Sequence, residues 1–188
     1  MPATRVFRTE AIVMRRQNLG EADRLLTLFT RERGKHKAIA KGVRKAKSRK
    51  AGHLELFSRT DLLIAQGQTF DIVTQAELLD GFTPLRQDLE KLAYASHFIE
   101  LADAFSEEGD ETNPLYALLA GGLLWLCDTQ DMRRTSRTYE LRLLDLVGYR
   151  PELFHCIVCG EMLRAEDQFF SPYDGGVVCP SCALLHPR

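Results

Sequence analysis

Four of the five cysteines in this 188-residue sequence form two C-x-x-C pairs. Cys156 and Cys159 make the first pair, and Cys179 and Cys182 make the second, with nineteen residues between the pairs. That separation lies within the range of zinc sites. Each short turn presents two sulfurs to one ion, and two turns complete a tetrahedron. The pattern predicts one structural Zn²⁺, because four thiolates leave no coordination position open for water.

Redox-active thiols are the alternative use of the cysteine pairs. A redox pair usually needs one C-x-x-C beside a βαβ pattern, which this sequence lacks. Cys127 lies beside Trp125 and Leu126 in an apolar stretch and is predicted to be a small buried hydrophobe. The N-terminus lacks the unbroken apolar core of a signal peptide, so we expect a cytoplasmic protein. In such a protein an odd number of cysteines indicates a metal site or free thiols rather than a disulfide framework.

A run of positive side chains fills residues 31–50, which contain ten Lys or Arg and one acidic residue, Glu32. The first four cations recur with period two, which places side chains on one face of a β-strand. The others fall in a loop, and a basic strand face beside a basic loop can follow a phosphate backbone. The predicted nucleic-acid contacts are Arg31, Arg33, Lys35, Lys37, Lys41, Arg44, Lys45, Lys47, Arg49 and Lys50.

The formal net charge of −1 hides an uneven distribution. Residues 1–80 carry 16 Lys or Arg and 9 Asp or Glu, a net charge of +7, whereas residues 81–188 carry 9 and 17, a net charge of −8. This asymmetry favours a polyanion as partner of the first segment, although basic and acidic faces can also simply pair with each other. Aromatic residues near the basic run are few (Phe29, Phe57 and Phe70), so we expect backbone contacts with little sequence specificity.

Catalytic motifs are missing from the sequence. It contains no G-x-x-x-x-G-K-[ST] phosphate loop, no G-x-S-x-G nucleophile elbow and no H-E-x-x-H motif. No carboxylates have a spacing that singles out a metal or acid–base pair. We therefore expect a protein without enzymatic activity.

Short apolar runs separated by turn residues occupy the first eighty residues. Gly34 supplies the positive φ of a hairpin turn, and Gly67 marks a second turn. The predicted strands cover residues 6–14, 25–29, 36–43, 54–57, 61–65 and 70–78. Five or six strands of this length are typical of a small barrel, so residues 1–80 are predicted to form an oligonucleotide-binding barrel.

Helical patterns follow the predicted barrel. Thr83 and Pro84 form a helix start, with Leu85, Leu89, Leu92, Ser96 and Ile99 following at helical spacing. Residues 115–127, which follow a second start at Asn113, are predicted as a buried helix too short to span a bilayer, and residues 136–147 as a third helix ending at Gly148. We predict a multidomain α+β protein. It comprises the barrel, a helical bundle over residues 81–150 and a four-cysteine zinc finger over residues 151–188, inserted in or appended to the helical domain.

Motifs along nearly the whole chain stand in an order shared with one protein family. The first part carries LGEADRLL at 19–26, Phe29-Thr30, Gly34-Lys35, and AKGVRK at 40–45 with Ser48. The second part carries YELRLL at 139–144, GYRP at 148–151, the first cysteine pair with Gly160, FSP at 170–172 and GGVVC at 175–179. On these motifs the chain resembles the RecO family of bacterial DNA repair proteins.

The resemblance implies an oligonucleotide-binding barrel, a helical domain and a zinc finger set into that domain. It implies a recombination mediator that binds single- and double-stranded DNA, anneals complementary strands and works with RecR. It also implies recognition of the C-terminal tail of the single-stranded-DNA-binding protein, and loading of RecA on DNA coated by that protein. Such a protein is cytoplasmic and associated with the nucleoid when bound to DNA. Family members usually continue through more helix after the finger, so we expect this chain to lack a C-terminal helical segment.

An acidic, apolar tail needs a basic pocket in the acidic half of the chain. The cluster that could form one comprises Arg133, Arg134, Arg137 and Arg142. Arg133 and Arg137 are four residues apart and therefore share a helix face. The alternative for these arginines is solvated surface or salt bridges within the bundle. For the chain as a whole, the alternative is a zinc-ribbon protein that binds RNA or acts as a translation accessory factor. A nuclease is a further alternative, but no carboxylate cluster in the sequence supports it.

Overall fold

Five strands in the first eighty residues form a closed barrel, as predicted. The structure is a computed structural model that describes residues 6–109 and 113–184. The barrel strands are β1 (Val6–Leu19), β2 (Asp23–Thr30), β3 (Gly34–Ala40), β4 (Arg59–Ala65) and β5 (Asp71–Asp80). Their order around the barrel is β1-β2-β3-β5-β4, and each neighbouring pair is antiparallel except β3 with β5.

Apolar residues two positions apart fill the barrel, because successive side chains of a strand point to opposite faces. Leu26 and Leu28 of β2 are fully buried there, as are Leu62 and Ile64 of β4. The predicted hairpin turn before β3 is confirmed, since Gly34 adopts a φ of 59°, a left-handed conformation that favours glycine.

The segment between β3 and β4 is a loop, so the predicted strand over residues 54–57 is wrong. A 3-10 helix, Ala51–His53, precedes these residues. Leu54 packs in the barrel core, and Phe57 is also buried. Phe57 has a φ of 70°, which is incompatible with a strand. The apolar residues that suggested a strand are therefore buried side chains that extend inward from a loop.

Helices follow the barrel and begin at the predicted Thr83 and Asn113. The first predicted helix is interrupted, because Asp88 is extended, with φ −125° and ψ 123°. The Asp88 carboxylate accepts hydrogen bonds from the N–H groups of Glu90 and Lys91 and so caps the second piece. The helices are α1 (Thr83–Gln87), α2 (Leu89–Ala104), α3 (Asn113–Asp128) and α4 (Met132–Leu146), the last beginning one turn before its predicted start.

Aromatic stacking joins α2 to α4. The rings of Phe98 and Tyr139 lie parallel, with centroids 3.9 Å apart and an interplanar angle of 8°. The Tyr139 hydroxyl donates to the carbonyl of Phe98 at 3.3 Å. Gly122 of α3 packs against both rings, because a Cβ there would lie 2.7 Å from Tyr139 Cδ2 and 3.0 Å from Phe98 Cδ2. Because glycine has no side chain, α3 can pack closely against these two rings at position 122.

The chain divides into two compact units, Met1–Tyr139 and Glu140–Arg188. The second unit holds both cysteine pairs, an antiparallel hairpin of β6 (Phe169–Ser171) and β7 (Gly176–Val178), and α5 (Pro180–Ala183). Within residues 6–109 and 113–184, no helix is long and apolar enough to cross a membrane. The predicted domain boundaries at residues 80 and 150 stay a prediction.

Candidate functional site

Four cysteine sulfurs converge in the second unit. Those of Cys156, Cys159, Cys179 and Cys182 all lie within 4.8 Å of one another, and the Sγ atoms of Cys159 and Cys179 are 3.9 Å apart. Tetrahedral Zn²⁺–thiolate bonds of about 2.3 Å place sulfurs about 3.8 Å apart. The four cysteines therefore fit one tetrahedral ion, and the two predicted pairs form a single cluster.

Backbone hydrogen bonds shape the first cysteine loop. Cys156 donates its N–H to the carbonyl of Glu161, and its own carbonyl accepts the N–H of Gly160, both at 2.8 Å. Gly160 adopts a φ of 76°, which permits the sharp bend predicted after the first pair. A Cβ at Gly176 of β7 would collide with Ile157 Cγ2, so the hairpin packs directly against this loop.

The surroundings shift the pKa values of Cys156 and Cys182 in opposite directions. The N–H of Cys179 donates to Cys156 Sγ at 3.4 Å, and this bond is the main reason that the pKa of Cys156 falls to about 6. Hydrogen bonding with the Cys179 side chain, followed by burial, raises the pKa of Cys182 to about 12. A divalent cation bound between the sulfurs would stabilise all four as thiolates. Cys127 belongs to α3 of the first unit, where it is half-buried, and burial raises the pKa of its thiol.

The loop after β3 contains six Lys or Arg and no Asp or Glu over residues 41–50, hereafter the basic loop. The barrel holds its first half through backbone contacts. Asp23 Oδ1 accepts the N–H of Gly42 at 2.7 Å, and the N–H of Arg44 donates to the carbonyl of Ala22 at 2.9 Å. Val43, between these anchors, is buried in the barrel core. The basic loop is therefore positioned by the fold.

Two cations of the basic loop serve as anchors, and the other four have no partner among the residues that the structure describes. The Arg44 guanidinium donates to the carbonyl of Gly20 at 3.1 Å, and the Lys50 ammonium donates to the carbonyl of Val73 at 2.9 Å. Burial lowers the pKa of Lys50. The other four are exposed and make no ion pair or side-chain hydrogen bond with any described residue: Lys41, Lys45, Lys47 and Arg49. These four can donate to phosphate oxygens without breaking an ion pair or side-chain hydrogen bond with a described residue.

Arg31 and Arg33 lie in the turn before β3 rather than in the strand. Arg31 Nη1 is 3.5 Å from a carboxylate oxygen of Glu10. The Arg33 guanidinium lies 3.9 Å from the ring centroid of Phe7, a cation–π distance. Both arginines are exposed, so these contacts leave part of each guanidinium accessible.

Lys35 and Lys37 lie in β3, two positions apart as the period predicts. Both are paired with carboxylates that follow the barrel in sequence. Lys35 Nζ is 2.7 Å from Asp103, and Lys37 Nζ is 3.1 Å from Glu108. The free cations therefore belong to the basic loop, not to the strand face.

Sequence reasoning missed the carboxylates that organise the basic side of the barrel. Asp23 holds the start of the basic loop, and Glu55 pairs with Arg16 at 2.5 Å and Arg24 at 3.6 Å. No spacing in the sequence indicates these contacts, because barrel closure creates them. Among the nearby aromatic residues, Phe29 and Phe57 are buried and Phe70 is 38% exposed, which leaves little surface for base stacking.

A cavity of about 460 Å³ lies beside the start of α4. Trp125 of α3 forms its apolar wall, and Asp131 and Arg134 are its charged lining residues. Of the four arginines predicted to dock a partner tail, Arg134 is the one that lines this cavity. Arg133 and Arg137 are exposed on α4, and Arg142 lies further along that helix, in the second unit.

Comparison with known proteins agrees with the fold and the motifs. The family model described as "Recombination protein O N terminal" matches residues 4–82, and "Recombination protein O C terminal" matches residues 86–188. Similar proteins include DNA repair protein RecO of Roseiflexus sp. (strain RS-1), 46% identical over 95% of this chain and 63% of the relative. That of Dehalococcoides mccartyi strain 195 is 39% identical over 94% and 70%.

The chain covers 63–72% of the length of the first eight curated relatives it matches. The two family models leave out residues 1–3 and 83–85. The predicted resemblance is thus confirmed by matches to both parts of the family, together with the closed barrel and the four-cysteine cluster. This chain belongs to the RecO family.

Proposed function

We propose that this chain acts in DNA repair and homologous recombination as a mediator without enzymatic activity. It binds single- and double-stranded DNA and anneals complementary strands. With RecR, it helps load RecA on DNA coated by the single-stranded-DNA-binding protein. Family membership and the names of the relatives support this role. The basic loop supplies its physical basis.

The observation that carries the proposal is a set of four exposed cations, on an anchored loop, that pair with no residue in the described part of the chain. Two DNA strands repel each other through their phosphates, and a surface of fixed positive charge lowers that repulsion. Because Lys41, Lys45, Lys47 and Arg49 already project from the barrel, binding DNA needs little rearrangement. The scarcity of exposed aromatic side chains near the loop favours phosphate contacts over base recognition.

The cysteine cluster is proposed to hold one Zn²⁺ with a structural role. Cys156, Cys159, Cys179 and Cys182 would be its four ligands, which leaves no open position for substrate or water. When bound, the ion would cross-link the two cysteine loops. The residues of the second unit orient the sulfurs through the backbone bonds of Cys156 and the close packing at Gly176.

The cavity beside Arg134 is proposed to dock the C-terminal tail of the single-stranded-DNA-binding protein. Arg134 would pair with a tail carboxylate, and Trp125 offers apolar contact. Asp131 belongs to the same cavity, but its Oδ1 already accepts the N–H of Arg134 and caps α4. We expect Arg134→Ala to weaken tail binding more than Arg133→Ala, a matched exposed arginine on the same helix. Fluorescence anisotropy of a labelled tail peptide measures the difference, and equal affinities of the two variants would rule out this cavity.

An annealing assay with complementary oligonucleotides tests the proposed function. Wild type is expected to accelerate duplex formation, with and without the single-stranded-DNA-binding protein, and less so as salt rises. The double variant Lys45→Ala, Lys47→Ala should lose most of the acceleration. The matched control Arg150→Ala, Arg164→Ala removes the same charge from the second unit and should anneal like wild type.

The same assay separates the proposed function from RNA binding. Oligonucleotides of DNA and hairpins of RNA are compared at equal length and salt. A preference for structured RNA, together with no acceleration of DNA annealing, would contradict the proposal. It would favour a zinc-ribbon RNA-binding protein.

A further inference from the structure

The first half of β3 has a backbone edge that β5 does not cover, because β5 pairs only with the end of β3. Residues 106–109, hereafter the acidic strap, run along this edge. The N–H of Lys35 donates to the carbonyl of Glu107, and the N–H of Gly109 donates to the carbonyl of Arg33, both at 3.2 Å. The acidic strap thus adds a short strand-like segment beside the hairpin of β2 and β3.

Carboxylates of the acidic strap and of α2, the helix before it, form ion pairs with the two lysines of β3. Glu108 is 3.1 Å from Lys37, and both side chains are largely exposed. Asp103, near the end of α2, is 2.7 Å from Lys35 and 2.7 Å from Arg15. Lys35 also donates to the backbone carbonyl of Asp103 at 2.9 Å. The Lys35–Asp103 pair is sheltered and holds α2 to the barrel, whereas the Lys37–Glu108 pair lies open to solvent.

The covered surface is one that oligonucleotide-binding barrels use, since their ligands lie across strands two and three. A carboxylate and a phosphate oxygen both bind an ammonium group through charge-assisted hydrogen bonds, so they compete for it. We propose that the acidic strap is an intramolecular competitor that occupies Lys37 until nucleic acid displaces it. This inference rests on the proposed function and adds a regulatory element to the same site.

Displacement of the acidic strap requires little energy. One backbone hydrogen bond and one exposed ion pair join it to β3, and a second backbone hydrogen bond joins it to Arg33 in the turn before β3. Exposed ion pairs are weak. DNA bound first by the basic loop would raise the local concentration of phosphate near Lys37, because β3 leads directly into that loop. The strap therefore favours long polyanions that engage both surfaces over small anions.

Neighbouring glutamates of the acidic strap provide a matched pair of variants. Glu108→Gln removes the partner of Lys37, whereas Glu107→Gln removes the same charge from a side chain that pairs with no described residue. Binding to fluorescein-labelled oligothymidine is measured by anisotropy across a salt series. Glu108→Gln is expected to bind about two- to fivefold tighter than wild type, with a steeper salt dependence, and Glu107→Gln to bind as wild type does. Equal tightening by both variants would indicate general electrostatics and overturn the proposal.

A variant that keeps every charge tests the backbone contact separately. Gly109 has a φ of 89° and donates its N–H to Arg33, so Gly109→Pro removes the hydrogen bond and cannot adopt this conformation. It is expected to bind the oligonucleotide more tightly and to lose protection of the Lys35 amide against hydrogen exchange. If wild type binds the oligonucleotide and neither Glu108→Gln nor Gly109→Pro changes the affinity, the proposal that the acidic strap competes for Lys37 is overturned, but the proposed function is not. No binding by wild type at any salt concentration would instead overturn the proposed function.

Discussion

Gly122 is the point at which α3 meets the stacked rings of Phe98 and Tyr139. A methyl group there would lie 2.7 Å from one ring and 3.0 Å from the other, both closer than carbon atoms normally approach. Gly122→Ala is therefore expected to lower the free energy of unfolding by about 1–3 kcal/mol, the usual cost of overpacking. Urea denaturation followed by the fluorescence of Trp125, the one tryptophan in the chain, measures this change.

Gly121 provides the matched control for this substitution. A Cβ at Gly121 would lie 3.7 Å from Trp125 Cζ2, an ordinary contact distance. Gly121→Ala is expected to keep or raise stability, because alanine favours a helix over glycine by about 0.5–1 kcal/mol. If both variants unfold at the same urea concentration, α3 does not pack as described.

The metal site gives a prediction for single cysteines. Purified protein is expected to carry one Zn²⁺ per chain, and Cys179→Ala should lose the ion together with the ordered structure of the second unit. Cys127→Ala should keep it, because Cys127 lies in α3, in the other unit. Metal analysis and circular dichroism measure the two properties. Retention of a full equivalent of zinc by Cys179→Ala would contradict the four-cysteine site.

Helix α2 depends on a cap that helical spacing alone does not reveal. Leu85 and Leu89 have the spacing of one helix, yet the chain is extended at Asp88 between them. The Asp88 side chain satisfies the first N–H groups of α2, which compensates for the interruption. Apolar periodicity identifies buried faces but does not show where side-chain capping competes with helix continuation.

Asp88→Ala is expected to destabilise the first unit by about 1 kcal/mol, because two N–H groups lose their acceptor. Asp88→Asn keeps an oxygen in the same place and should retain most of the stability. Thermal denaturation of the three proteins under identical conditions provides the comparison. A melting temperature of Asp88→Ala equal to that of wild type would show that solvent satisfies these groups equally well.

The barrel and the cysteine site were predictable for different reasons. Short apolar runs and the turn residues between them, Gly34 included, identified most barrel strands, and the C-x-x-C spacing alone indicated the cluster. The loop containing Leu54 and Phe57 was not predictable, because buried loop residues share the spacing of a short strand. The pairing of Lys35 with Asp103 was also hidden, since 68 residues separate them in sequence. Charge counts identified the basic region but not which of its cations are free.

Across the whole chain, the near-neutral net charge results from a basic barrel segment and an acidic remainder. The structure shows where the two are in contact within the first unit. Asp103 and Glu108 form ion pairs with cations of the barrel, whereas the ten residues of the basic loop include no Asp or Glu. This cancellation therefore falls on cations of β1 and β3, and the field of the basic loop remains available for a polyanion.

The salt dependence of DNA binding tests this account most directly. The slope of log Kd against log salt concentration is measured with a single-stranded oligonucleotide for three proteins. These are wild type, the double variant with both Lys45→Ala and Lys47→Ala, and the double control variant with both Arg150→Ala and Arg164→Ala. The basic-loop variant is expected to bind more weakly at every sequence tested, with a slope smaller by about 1.4, because two phosphate contacts are lost. The control should match wild type. Wild-type affinity and slope in the basic-loop variant would contradict the claim that this loop binds DNA.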